Sequence, residues 1–166
     1  IQGYDNVDPQ NIATIQKSKS LKIVDRPSFN IGYITINQAI KPFDDLRVRQ
    51  AVAYALDRNT VVKSLYLGRG IVADEFQPST LKYGYSTSVP KYRFNPAKAK
   101  ALLQQAGLTL PVEVEFWYPS DVSRPYMPDP KRNFQAFSAS LAKSGFKVVA
   151  KTAPWRPDYL GRASAG

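Results

Sequence analysis

The alternation of apolar and polar residues along the chain predicts several β-strands. Residues 112–118 alternate strictly between apolar and charged positions, which is typical of a strand with one buried face. Residues 29–37 are largely apolar on both faces, which favours a strand that is covered on both sides. Residues 21–24 predict a short strand broken at Arg26-Pro27, and residues 146–151 predict a further strand.

Four segments with apolar residues at helical spacing predict α-helices. Each segment follows a side chain that can accept a hydrogen bond from the first helical turn, and the candidate caps are Asp44, Asp57, Asn95 and Asp129. The first segment runs to about Leu56 and the second to Leu67, while glycines end the last three. Strand, helix and strand between residues 112 and 151 form a βαβ unit, whose strands should be parallel. The pattern therefore predicts the α/β class, with a mixed sheet flanked by helices.

Composition excludes several classes of chemistry. The chain has 166 residues, enough for one domain or one lobe, and it contains neither cysteine nor histidine. Disulfides, thiolate metal sites and the usual Ser/His/Asp and Cys/His triads are therefore excluded, and we expect no enzyme, no metal site and no cofactor. No apolar run approaches the roughly 20 residues that a membrane span needs. Residues 1–3 contain no initiator methionine and no export signal is visible, so we expect a piece of a longer polypeptide with any localisation signal in the missing part.

The segment from residue 116 to residue 130 carries the candidate binding chemistry. It connects the end of a predicted strand to the start of a predicted helix, where ligands gather in α/β sheets. Its prolines stiffen the loop, and the planar guanidinium of Arg124 matches a carboxylate in a bidentate way. Trp117 shares a strand face with Glu113 and Glu115, so its ring is expected to be presented rather than buried. The residues also permit a structural alternative, in which Arg124 is held by local carbonyls or by Asp121.

Ordered motifs along residues 21–160 resemble a known family. The matching stretches are residues 30–37, 42–51, 55–58, 92–103, 106–107, 124–126, 141–148 and 155–160. Together they resemble the extracytoplasmic substrate-binding proteins of dipeptide and oligopeptide ABC importers, the family-5 solute-binding proteins. The resemblance implies a two-lobed, type 2 periplasmic-binding-protein fold, of which residues 1–166 would be most of the second lobe. The partner lobe and a C-terminal remainder would then lie outside this chain.

The same resemblance implies a function, a location and a ligand site. The protein would capture di- or oligopeptides for a membrane permease, in the periplasm or anchored at the cell surface as a lipoprotein. Arg124, in an Arg-Pro-Tyr motif, would hold the C-terminal carboxylate of the peptide, with Tyr126 beside it. The full set of predicted ligand contacts is Arg124, Tyr126, Trp117, Asp121 and Met127.

A second class of function, binding of nucleic acid or another polyanion, follows from the charge. Lysine and arginine number 23 against 13 acidic residues, a net charge of +10. Near the middle of the chain, tyrosines are interspersed with basic residues: Lys82, Tyr83, Tyr85, Lys91, Tyr92 and Arg93. Aromatic stacking together with cations is how many proteins bind single strands. No block of five or six like charges occurs, however, so solvated helix faces are the simpler interpretation and no nucleic-acid partner is expected.

Overall fold

Two parallel strands form the sheet within residues 3–5 and 7–165, the part of the chain that this computed structural model describes. Strand β1 is Val112–Pro119 and strand β2 is Phe146–Ala153. Their register places Val112 beside Phe146 and Pro119 beside Ala153. A helix connects the two strands, so the predicted βαβ unit with parallel strands is confirmed, as is the α/β class.

Six α-helices and two shorter helical segments complete the described structure. The α-helices are α1 (Ile12–Gln16), α2 (Leu46–Ala55), α3 (Arg58–Leu65), α4 (Pro96–Gln105), α5 (Pro130–Lys143) and α6 (Leu160–Ala165). A 3₁₀ turn, Pro9–Asn11, precedes α1, and a π-helical segment, Trp155–Tyr159, leads into α6. Helix α5 is the crossover between β1 and β2. None of the helices in residues 3–5 and 7–165 is long and apolar enough to cross a membrane.

Three of the four predicted helix caps are confirmed and one is displaced by a residue. Asp57, Asn95 and Asp129 each accept a hydrogen bond from a first-turn backbone N–H, as predicted. The prediction of Asp44 as the cap of α2 is wrong, because the carboxylate of Asp45 accepts the N–H of Arg47 at 2.8 Å. Helix α3 ends at Leu65 rather than at Leu67, since Leu67 has a positive φ of 51° that no helix can continue.

The predicted strands at residues 21–24 and 29–37 do not form. Leu21 and Val24 are 60% and 77% exposed, and Phe29 and Tyr33 are exposed as well. No strand of the described residues pairs with these stretches, and a strand is stabilised only by a hydrogen-bonded neighbour. Residues 33–35 instead line a cleft together with residues 116–118 of β1, so the two segments face this cleft without forming a ladder.

The hydrophobic core lies between α2, α4, α5 and the sheet. Helix α2 contributes four buried residues to it, and Phe146 of β2 is 2% exposed. Arg47 adds a polar connection between the helices: its Nη1 donates to the carbonyl of Gln105 at 2.7 Å, at the C-terminal end of α4. A cation at that end is favourable because the last carbonyls of a helix carry partial negative charge.

Candidate functional site

The loop after β1 folds into a tight turn that contains Arg124. The backbone N–H of Arg124 donates to the carbonyl of Met127 at 3.1 Å, and the N–H of Met127 donates back to Arg124 at 2.8 Å. Pro125 occupies a corner of the turn and fixes its own φ. The turn therefore presents Arg124 beyond the carboxyl end of β1, where the sequence predicts a site.

A tyrosine that directly follows α3 supports the backbone of this turn. The hydroxyl of this residue, Tyr66, donates to the carbonyl of Tyr126 at 2.8 Å and accepts from Nδ2 of Asn133 at 3.0 Å. Burial raises the pKa of Tyr66 above its usual value of 10, against an opposite effect of Asn133, so its hydroxyl stays protonated at neutral pH. Gly32 also lies close to this carbonyl: a Cβ at Gly32 would lie 3.0 Å from the Tyr126 carbonyl oxygen, so glycine permits the close approach.

The side chain of Arg124 lies over an aromatic ring. Its Cζ is 4.8 Å from the centre of the Trp155 ring, which itself stacks on Tyr159 with 5.5 Å between centroids and 18° between planes. Within residues 3–5 and 7–165, no carboxylate forms an ion pair with Arg124. The alternative of an Arg124–Asp121 pair is therefore not realised, because Oδ1 of Asp121 accepts the backbone N–H of Trp155 at 2.7 Å.

Trp117 and Met127 lie on a separate part of the site. Both line the cleft, whose volume is about 140 Å³, together with Tyr33, Ile34, Thr35, Phe116, Tyr118, Pro130, Asn133, Phe134, Tyr159 and Ala163. Trp117 is half-buried: its indole N–H donates to Oε2 of Glu115 at 3.1 Å, and Cζ of Arg162 is 4.7 Å from its ring centre. Of the predicted site residues, Arg124 and Asp121 thus both contact Trp155. Trp117 and Met127 line the cleft, and the carbonyl of Tyr126 accepts the hydrogen bond of Tyr66.

The chemistry of the cleft suits contact rather than proton transfer. Tyrosines are the only titratable residues among those that line it. The pKa of Tyr159 is raised above its usual value, first by burial and then by the nearby Tyr126 and Tyr33, so its hydroxyl stays protonated near pH 7. Half of the lining residues are aromatic and none is a histidine, a lysine or a carboxylate, so the cleft offers apolar contact area and no general base that works near pH 7.

Sequence reasoning missed three residues that build this site. Trp155 and Tyr159 are four residues apart, a spacing that allows stacking on one helical face and could have indicated the pair. Tyr66 has no such signal, because it reaches Tyr126 across 60 positions of sequence.

Acidic side chains of β1 and at the start of α2 form ion pairs. Glu113 and Glu115 lie 3.0 and 3.4 Å from Lys147 and Lys151 of β2. Asp45 pairs with Arg47, and this contact lowers the pKa of Asp45 to about 2. Residues 3–5 and 7–165 contain no group of three or more acidic, histidine or cysteine side chains that could hold a metal ion.

The basic and aromatic stretch considered for polyanion binding is partly engaged inside the protein. Tyr92 contacts Tyr54 edge to face at 5.1 Å between centroids. Arg93 donates to Asp74 at 2.7 and 3.1 Å, and this hydrogen bonding holds the pKa of Asp74 below its usual value. These contacts remove one ring and one cation from a stacking surface.

Comparison with known proteins relates the chain to one family. All of residues 1–166 match the family described as bacterial extracellular solute-binding proteins, family 5 Middle. The chain is 37% identical over 166 residues to the dipeptide-binding protein of Escherichia coli strain K12, and this match covers 100% of the chain and 30% of that protein. The chain thus spans less than a third of the length of this relative.

Two solved structures have the same fold over most of the chain. The structure of HbpA2 from Haemophilus parasuis matches with a TM-score of 0.82 and 34% identity, covering 96% of this chain and 31% of that one. The dipeptide-binding protein of Pseudoalteromonas sp. SM9913, in complex with Met-Leu, matches with a TM-score of 0.81 and 26% identity, covering 90% and 29%. All three relatives leave most of their own length unmatched.

Proposed function

Since the chain belongs to the bacterial extracellular solute-binding proteins of family 5, we propose that it forms part of a receptor that captures di- or oligopeptides for an ABC importer. Its mixed α/β structure is part of a periplasmic-binding-protein lobe. In this proposal residues 1–166 are most of the second lobe, and the first lobe and a C-terminal remainder belong to the same longer polypeptide. The receptor acts outside the cytoplasm, in the periplasm or anchored at the cell surface, and delivers its ligand to a membrane permease.

The environment of the Arg124 side chain is the observation that supports this function most strongly. Its guanidinium is half-buried on Trp155, at the carboxyl end of β1, and has no carboxylate partner among the described residues. A positive charge held in this way can bind the acid terminus of a peptide through paired N–H···O bonds. In this proposal Trp117 and Met127 supply apolar surface in the cleft, and Tyr126 belongs to the turn that carries Arg124. The nucleic-acid alternative has no support from the relatives.

The absence of histidine and cysteine from the sequence is compatible with a receptor that is not an enzyme. A receptor must release its ligand unchanged, so it needs neither a nucleophile nor a general base. The relatives at 34–37% identity are solute-binding proteins or share their fold, which agrees with this interpretation.

We expect the other lobe to supply a large share of the free energy of binding. One charge-assisted hydrogen bond contributes about 1.5–3 kcal/mol net, whereas micromolar affinity requires about 8 kcal/mol. Arg124 and one wall of a cleft therefore do not reach micromolar binding alone. Residues 1–166 in isolation are expected to bind peptides only weakly.

Calorimetry on the full-length protein tests the proposal. We expect Met-Leu, the dipeptide present in one related structure, to bind more tightly than Met-Leu amide. Arg124→Ala should weaken Met-Leu about 10- to 150-fold and leave the amide nearly unchanged. Equal losses for both ligands would show that Arg124 has only a structural role.

A further inference from the structure

We propose that Trp155 is a positioning residue for Arg124, and that Asp121 acts on ligand selectivity through Trp155 rather than by contacting the ligand. The inference rests on the proposed function, because it concerns how Arg124 is presented to a peptide carboxylate. It also changes the role of Asp121, which the sequence predicts to be a ligand contact.

The stack of Trp155 on Tyr159 restricts where the guanidinium of Arg124 can lie. The ring of Trp155 has Tyr159 on one side, 5.5 Å away and nearly parallel, and the Arg124 Cζ over it at 4.8 Å. A guanidinium that contacts an aromatic ring through its face keeps its in-plane N–H donors for a carboxylate. The stack therefore lowers the entropy that Arg124 loses on binding without using the groups that bind.

The hydrogen bond of Asp121 fixes the position of the Trp155 backbone. The N–H of Trp155 follows Pro154 at the start of a helical segment and needs an acceptor from outside that segment. Oδ1 of Asp121 supplies it at 2.7 Å and connects the loop after β1 to the segment after β2, 34 positions away in sequence. One carboxylate oxygen of Asp121 is thus committed to the support of Trp155.

The ratio of the Kd for Met-Leu amide to the Kd for Met-Leu, measured in the full-length protein, tests the role of Trp155. Trp155→Leu should lower this ratio about two- to fivefold, since it removes the cation–π contact, and Trp155→Phe should restore most of it. Tyr54→Leu is the matched control, because Tyr54 also lies under a cation, Lys98 at 4.4 Å, but away from the site. A ratio that stays unchanged in Trp155→Leu, or that falls equally in Tyr54→Leu, would overturn the proposal.

Substitutions of Asp121 separate an indirect role from a direct one. Asp121→Asn keeps an acceptor for the Trp155 N–H and removes the charge, so the ratio should stay within about twofold of the wild type. Asp121→Ala should lower the ratio in the wild-type background. It should not lower it further in the Trp155→Leu variant, because the effects of substitutions at residues that act through one another do not add. Equal losses in Asp121→Asn and Asp121→Ala, or additive losses with Trp155→Leu, would show that Asp121 acts on the ligand itself.

The two proposals fail in distinguishable ways. If Arg124→Ala does not alter the ratio, the proposed ligand contact is wrong whatever Trp155 does. If Arg124→Ala lowers the ratio and Trp155→Leu does not, the ligand contact stands and the positioning role is wrong.

Discussion

The hydroxyl of Tyr66 supports the Arg124 turn from outside, and Tyr66→Phe removes it without changing the shape of the ring. The substitution deletes the bond to the Tyr126 carbonyl and the bond from Asn133, 2.8 and 3.0 Å long. No cavity forms, so the cost is that of two lost hydrogen bonds whose partners remain. All three residues are half-buried, and water can partly replace the lost bonds.

The expected loss of unfolding free energy is about 1–2 kcal/mol, the lower part of the range for half-buried partners left unsatisfied. Thermal unfolding followed by circular dichroism would measure it in the full-length protein. The preference for Met-Leu over its amide should fall as well, because the turn that carries Arg124 loses its anchor.

Tyr83→Phe is the matched control, since Tyr83 is 96% exposed and its hydroxyl should contribute less than about 0.5 kcal/mol. The burial that raises the pKa of Tyr66 adds a signature at high pH. Because the folded state favours the protonated hydroxyl, the contribution of Tyr66 to the free energy of unfolding is full below pH 10 and is lost as the pH rises above that value. Tyr66→Phe should remove this dependence on pH. If Tyr66→Phe behaved like Tyr83→Phe in stability and selectivity, the turn would not depend on this anchor.

Three further substitutions test other parts of the structure. Gly32→Ala should displace the turn, because its Cβ would lie 3.0 Å from the Tyr126 oxygen; calorimetry should show weaker Met-Leu binding, and unchanged affinity would contradict the close approach. Asp45 stabilises the folded state above pH 3.8, and this contribution is lost as the pH falls towards 2, so acid unfolding of Asp45→Asn should depend less on pH than that of the wild type. Phe146→Ala should cost about 3–5 kcal/mol in urea unfolding, and a loss below 1 kcal/mol would place Phe146 outside the core.

The helices and the βαβ unit could be predicted because their signals are local. Asp57, Asn95 and Asp129 each accept the backbone N–H of the residue three positions later. The alternation at residues 112–118 reflects one buried face of β1. The choice between Asp44 and Asp45 depended on a single backbone conformation, which sequence does not specify. The class of the fold followed from these local elements alone.

The predicted strand at residues 29–37 shows why local signals are not sufficient. Its apolar residues have the composition of a strand, but pairing depends on which other segment lies beside it. Within the described residues, segment 33–35 and β1 line the same cleft, but they do not pair as strands of a sheet. Nothing in residues 29–37 themselves distinguishes the two outcomes.

The sequence predicts where Arg124 lies in the fold but not the contacts that hold it, and its part in ligand binding stays a prediction. A proline-rich loop with one arginine at the end of a strand was sufficient to indicate Arg124. The groups that hold it, Tyr66 and Trp155, reach the loop across 60 and 34 positions of sequence, and only the fold brings them together. For the same reason the hydrogen bonds of Asp121 and of the Tyr126 carbonyl could not be predicted from the sequence.

The account depends above all on the capture of a peptide's acid terminus by Arg124, and a crystal structure of the full-length protein with Met-Leu would test this directly. We predict the leucine carboxylate about 2.7–2.9 Å from the guanidinium nitrogens of Arg124, with Trp155 still stacked beneath them. A carboxylate bound by another residue, with Arg124 turned away from the ligand, would contradict the account.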